Sequence, residues 1–234
     1  MPRVRPADRF DQLVRTAAET FIRAGGFHRT QIADIAKSLG VAKGTVYLLA
    51  DSKDALFEAA LEHADAPAPI PAPSPLPIST SDEGRAAALL RARISRESQF
   101  PVLRDATQSR PPTDINRELG EVFGELYDVL ARNQVAIKLL TVTASELPLL
   151  AKEWFVGGRG RLLDRLAIYL SRRSSAGALA SYPSAEISAR LILETASWFA
   201  VHRHYDPSPE PIDDADARAE VVRSLTRSFS PEPC

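Results

Sequence analysis

The sequence predicts an all-α protein in which an N-terminal three-helix helix-turn-helix domain precedes a larger C-terminal helical domain. Three observations predict it. Apolar residues recur at three- and four-residue spacing through most of the chain, no segment sustains a two-residue alternation, and glycines and prolines cluster between the periodic runs. With 234 residues, 44% of them apolar, the chain can bury a sizeable core. The expected boundaries are 1–66 for the helix-turn-helix domain, 67–80 for a Pro-rich linker and 81–234 for the C-terminal domain.

In chain order, Phe10, Leu13, Val14, Ala17, Ala18, Phe21 and Ile22 form one stripe of an amphipathic helix, which Gly25-Gly26 stops. Thr30 offers an N-cap for a second, short helix burying Ile32, Ile35, Ala36 and Leu39. Gly40 ends that helix. A third, roughly Lys43 to Leu49, turns Val46 and Leu49 inward and leaves Lys43, Thr45 and Tyr47 for another surface. Ser52 caps a fourth through Leu56, Phe57, Ala60 and Leu61.

From Pro67 to Pro77 every second residue is proline, which removes backbone donors and favours an extended spacer. Beyond it, Ser81 is placed to cap a helix carrying Ala86, Leu89, Leu90 and Ile94. A longer helix is lined by Ile115, Leu119, Val122, Phe123, Leu126, Leu130 and Ile137. Three more are expected, roughly over 149–170, 184–204 and 214–229.

Several function classes fall away. No run approaches a bilayer span, so no membrane partner is expected, and the first ten residues do not resemble a secretory signal. The single cysteine, Cys234, excludes an internal disulfide and a cysteine-based metal cage, and a reducing cytoplasm fits best. His28, His63, His202 and His204 are scattered, with no nucleophile and base at recognisable spacing. His202 and His204 point apart on a helix, so joint metal ligation needs the helix to have ended. Gly157, Gly158 and Gly160 match neither a dinucleotide fingerprint nor a P-loop and read as a break in a helix or a close helix crossing. No catalytic residue, no metal and no cofactor is expected.

The net charge of −1 conceals an asymmetry. Residues 1–53 hold nine Lys and Arg against five acidic residues, +4, which leaves −5 for the remainder. Only the N-terminal part suits a polyanion. A helix-turn-helix needs a small residue where its helices cross, a glycine able to take positive φ in the turn, and apolar contacts between the helices. Ala36, Gly40 and Val46 fill those roles, with Ile35, Leu39, Val41 and Leu49 in support, although any three-helix scaffold can share this pattern.

The stretch Thr30-Gln31-Ile32-Ala33-Asp34-Ile35-Ala36-Lys37-Ser38-Leu39-Gly40-Val41-Ala42-Lys43-Gly44-Thr45-Val46-Tyr47, followed by Ser52-Lys53-Asp54-Ala55-Leu56, resembles the tetracycline-repressor (TetR) family of transcription regulators. The resemblance covers about the first quarter of the chain. It implies that the second helix of the motif lies in the major groove, with Lys43 and Thr45 at base edges, Gly44 allowing close backbone approach, and Thr30, Tyr47 and Lys53 on phosphates. Arg3 and Arg5 are placed to act as an arm onto the adjacent backbone or minor groove. Two positions depart from the family pattern. Leu49 stands where a polar or aromatic residue is usual, which removes a phosphate contact, and Ala50 replaces a bulky apolar residue, leaving room in the core that something else must fill.

The resemblance also implies that the C-terminal helices form a homodimer and enclose a small-molecule pocket. Ile187, Leu191 and Trp198 lie along one side of a predicted helix and Ile192, Ala196 and Phe199 along the other, as expected of a helix covering both its own core and a partner. With Leu162, Leu163, Leu166, Ala167 and Leu170 it would build an intersubunit four-helix bundle. Pocket candidates are Phe123, Tyr127, Asn133, Trp154, Phe155 and Trp198. The expectation is therefore a DNA-binding regulator, a repressor released from palindromic double-stranded operator DNA by a small apolar or amphipathic effector. The alternative is a regulator without a small-molecule ligand, constitutive or controlled by a protein partner.

Overall fold

The computed structural model describes residues 6–80, 82, 84–180 and 182–231. The regular elements among these residues are helices, with one isolated bridge and no strand among them. None of the helices is long and apolar enough to cross a membrane. Ser81, expected as a cap, Arg3 and Arg5, expected as an arm, and Cys234 lie outside the described residues.

The chain divides into two compact units, one comprising residues up to Ile94 together with Val135–Phe155, the other Ser95–Gln134 together with Val156 onward. In the first unit, α1 (Pro6–Ala24) buries the whole predicted stripe from Phe10 to Ile22. It ends where Gly25 and Gly26 take positive φ and their amides reach back to the carbonyls of Ile22 and Phe21. α2 (Ile32–Leu39), α3 (Lys43–Tyr47) and α4 (Lys53–Glu62) follow. Phe21, Phe27 and Phe57 form the aromatic centre, with ring centroids 5.3–5.9 Å apart. Such pairs add about 0.5–1.5 kcal/mol beyond their buried area. Ser52 caps α4 as expected, accepting from Ala55 N. The cap of α2 is Gln31 rather than Thr30, and Asp34 returns a carboxylate to the Gln31 amide at 2.9 Å.

The Pro-rich segment is not the free spacer its composition predicts. Ile70 is buried against Phe10, Val14 and Ala59, with Leu76 and Ile78 partly buried around that cluster. Its amide donates to Asp11 at 3.0 Å, and Arg15 reaches the Ala66 carbonyl. Further on, Ile78 donates to Leu49 O and accepts from Asp51 N, forming the bridge to Ala50. The physical reason lies between the prolines: the residues in alternate positions include Ile70, Leu76 and, just beyond, Ile78, so an extended strap presents apolar side chains to the domain it leaves. This strap supplies apolar surface beside Ala50, which is itself fully buried.

The first unit also holds most of α5 (Arg85–Glu97), α8 (Gln134–Thr143) and α9 (Pro148–Ala151). Asp65 accepts from Val135 N and Ala136 N, closing the start of α8, and from Arg93. Burial nonetheless pushes the Asp65 carboxyl above its ordinary range. Glu146 accepts from His28 N at 2.8 Å and occupies the space where any side chain at Gly26 would stand.

The second unit is built from α6 (Pro101–Gln108), α7 (Ile115–Arg132), α10 (Arg161–Ser175), α11 (Ala185–Ala200) and α12 (Asp214–Phe229). The long helix expected to run through Ile137 stops at Asn133, which caps α7, and the chain restarts as α8. α6 was not predicted from periodicity; Pro101 at its first turn and Glu125 accepting from Val102 N and Leu103 N start it. Between α9 and α10 the helix winds as a π-helical segment, Lys152–Gly160, which is the irregularity announced by Gly157, Gly158 and Gly160. Asp114, Ser184 and Asp213 accept from amides two or three residues on and start α7, α11 and α12. Arg173, 2% exposed, is fully engaged, donating to both Glu118 carboxylate oxygens and to the carbonyls of Ala106 and Ser109. Tyr169 donates to the same carboxylate, and burial pushes its phenol far up, so it stays protonated.

Candidate nucleic-acid interface

The motif is held from behind. Ile32, Ile35, Ala36 and Val46 are buried where α2 and α3 meet the rest of the unit. Gly40, at φ 71°, turns the chain between them, its amide bonded to Lys37 O and that of Val41 to Ala36 O. What α3 does not bury it offers outward. Lys43, Gly44, Tyr47 and Leu48 are exposed and Thr45 half-buried. The Lys43 ammonium lies 5.7 Å from the Tyr47 ring centroid, one helical turn on. Around Gly44 nothing of the protein comes within 4 Å of the place a side chain would take, so packing within the chain does not explain the glycine.

Two sequence expectations are corrected here. Thr30 is fully buried, its hydroxyl donating to Gly26 O at 2.8 Å, and is not available to a phosphate. Lys53 directs its ammonium inward to the carbonyls of Phe27 and Thr30, at 3.0 and 3.1 Å, over the Phe27 ring at 4.2 Å. The structure thus makes both residues braces of the α1–α2 turn. Leu49, expected to turn inward with Val46, is 8% exposed in the core, and the turn that follows α3 leaves Leu48 outward. Leu48, 70% exposed, is the surface residue sequence reasoning missed.

The pocket candidates are distributed over both units. Phe123 and Tyr127 are buried in the second unit, Phe123 6.1 Å from the Phe229 ring and Tyr127 donating to Phe199 O. Asn133, 6% exposed at the end of α7, donates to Val129 O and to Glu97. Trp154 and Phe155 sit in the π-helical segment of the first unit, half-buried and exposed. Trp198 is 48% exposed on α11, where Ile187 and Leu191 continue the same apolar face. His202 and His204 fall in a one-turn 3₁₀ segment, and no group of three or more His, Cys, Asp or Glu able to hold a metal exists among the described residues.

Residues 13–60, the segment that contains this interface, match the family profile described as bacterial regulatory proteins, tetR family. The similarity to that family concerns this segment. The profile is one of regulatory proteins, in agreement with the helix-turn-helix geometry of the segment it matches. Among solved structures it is similar to the ketosteroid transcriptional regulator KstR2 of Mycobacterium tuberculosis, with 15% identity, a TM-score of 0.60, and coverage of 97% of this chain and 98% of that one. A TetR-like transcriptional regulator from Rhodococcus sp. RHA1 is similar at 18% identity and a TM-score of 0.49, covering 96% and 97%. FadR from Bacillus subtilis in complex with stearoyl-CoA is similar at 18% identity and 0.46, covering 93% and 97%. At these identities the likeness concerns fold. No curated protein shows significant sequence similarity to the chain.

Proposed function

We propose that the chain is a homodimeric, cytoplasmic repressor that grips palindromic operator DNA with one α3 from each protomer and is released by a small apolar or amphipathic effector. The observation that carries the DNA reading is the outward face of α3: a cation, an aromatic hydroxyl, an open glycine and an apolar tip side by side on a motif anchored by buried residues. Lys43 and Thr45 address base edges, Tyr47 a phosphate, Gly44 the close approach, and Leu48 a thymine methyl or sugar. Dimerisation is supported by the apolar face of Ile187, Leu191 and Trp198 on α11 and Ile168 on α10, each 48–70% exposed in the single chain. The effector reading is supported by two cavities of about 710 Å³, one in each unit, a size that takes a small organic molecule.

A mobility-shift titration tests the core of this reading. The purified protein should retard a short palindromic duplex from its own upstream region, with affinity falling steeply as salt rises, because each phosphate contact releases a counterion. Equal retardation of unrelated duplexes at all salt concentrations would defeat sequence-specific regulation.

A further inference from the structure

We infer that the cavity of the first unit is a binding site for an amphipathic organic cation. The inference rests on the effector reading above only for its consequence at the operator, not for the binding itself. The cavity measures about 710 Å³ and lies between α4, the α1–α2 turn, the start of α5 and the segment at α9. Its walls are apolar: Phe27, Phe57, Ala87, Leu147 and Leu150 line it. The polar groups at its edge are predominantly carboxylates. Asp54 and Glu58 stand one turn apart on α4, and Asp82 faces in from the segment before α5.

Charge decides the class of ligand. Glu58 is 6% exposed, its carboxylate shared between the Thr80 hydroxyl at 2.7 Å and Arg85 at 3.4 Å. Asp54 and Asp82 are exposed to the cavity mouth with no ion pair to a cation of the chain among the described contacts; Asp82 accepts from Gly84 N. Among the described residues the lining supplies His28 as its basic group, Arg85 pairs with Glu58 and the Lys53 ammonium lies over the Phe27 ring, so Asp54 and Asp82 are the acids left without a cation. An anion would meet the unpaired Asp54 and Asp82 at the mouth, and a neutral apolar molecule would leave those two carboxylates without benefit. A cation with apolar substituents satisfies both the walls and the rim.

The position gives occupancy a consequence. Phe27 and His28 belong to the turn that leads into α2, and Glu146, which holds the His28 amide, immediately precedes the lining residue Leu147. A ligand seated here touches the turn on which the helix-turn-helix is mounted, within the same unit.

The test uses two ions of one shape and opposite charge. Calorimetry on the full chain without DNA should show saturable binding of tetraphenylphosphonium with a dissociation constant below about 1 mM, and binding of tetraphenylborate at least about tenfold weaker. Asp54→Asn combined with Asp82→Asn should remove that preference, and Ala86→Trp, which fills the lining, should abolish binding of both ions. Thermal melting confirms that each variant is folded. No saturable binding of the phosphonium, equal binding of the two ions, or undiminished binding in both variants would overturn the assignment. The phosphonium is then added to the protein–operator complex. Binding without release of DNA leaves the cation site standing and rejects the effector-released repressor; failure of the calorimetric test leaves the operator titration untouched.

Discussion

The outward faces of α3 and α11 are both surfaces that a lone folded domain has no need of, yet they are built in opposite ways. α3 is five residues long and exposes a mixture: Lys43, Gly44, Thr45 in part, Tyr47 and Leu48. α11 is sixteen residues long and exposes a row of large apolar side chains, Ile187, Leu191 and Trp198, above a fully buried row of Ala189, Ile192 and Ala196. A face meant for a polyanion has to carry donors and leave its backbone open, and can be small because electrostatics reach outward. A face meant for a second copy has to bury area and therefore needs length. On the proposed reading the difference is one of partner chemistry, not of exposure.

The sharpest way to break the comparison is to make the α11 face resemble the other one in charge. Leu191→Glu with Trp198→Glu would place uncompensated carboxylates in an apolar contact, at a cost of several kcal/mol, so the dimer dissociation constant should rise at least about a thousandfold. Light scattering across a concentration series reads this. A dimer of unchanged mass would remove α11 from the interface. The reciprocal change, Lys43→Ala with Tyr47→Ala, should leave the dimer intact and weaken operator binding about a hundredfold, with a shallower salt dependence. Unchanged affinity and salt slope would sink the assignment of α3.

A third change asks whether the α3 face depends on the strap beneath it. Ile70 is 1% exposed among Phe10, Val14 and Ala59, so Ile70→Ala should cost about 2–3 kcal/mol of stability in the first unit, read as a lower denaturation midpoint. The variant should still dimerise, because α11 belongs to the other unit. An unchanged midpoint would return the Pro-rich segment to the role of free spacer.

Much of this was legible in the residues. The stripe of α1, the Ser52 cap, the turn at Gly40, the two-sided α11 and the bounds of α12 follow from local periodicity and capping, which act within a few residues. What was not legible depends on distant partners. Thr30 and Lys53 carry the residue types of phosphate contacts, and only the folded α1–α2 turn shows that Gly26, Phe27 and Thr30 carbonyls have claimed them. The strap reads as a linker because prolines announce extension but not what an extended segment rests on. The partners of Phe123 and Tyr127, the Phe229 ring and the Phe199 carbonyl, are likewise set by distant segments.

The smallest effect separates the turn of the motif from its face. Gly40 takes φ 71°, a conformation in which a Cβ crowds the following carbonyl, and nothing stands within 4 Å of where that Cβ would be. Gly40→Ala therefore meets no neighbour and pays only backbone strain, about 1–2 kcal/mol. The denaturation midpoint should fall by that amount. Operator binding at temperatures well below the transition should change little, because Lys43, Thr45, Tyr47 and Leu48 keep their places once the chain is folded. If binding falls instead by as much as in the Lys43 and Tyr47 double variant while stability holds, the turn is setting the angle of α3 on the DNA. The recognition surface would then have to be enlarged from the face of one helix to the geometry of the pair.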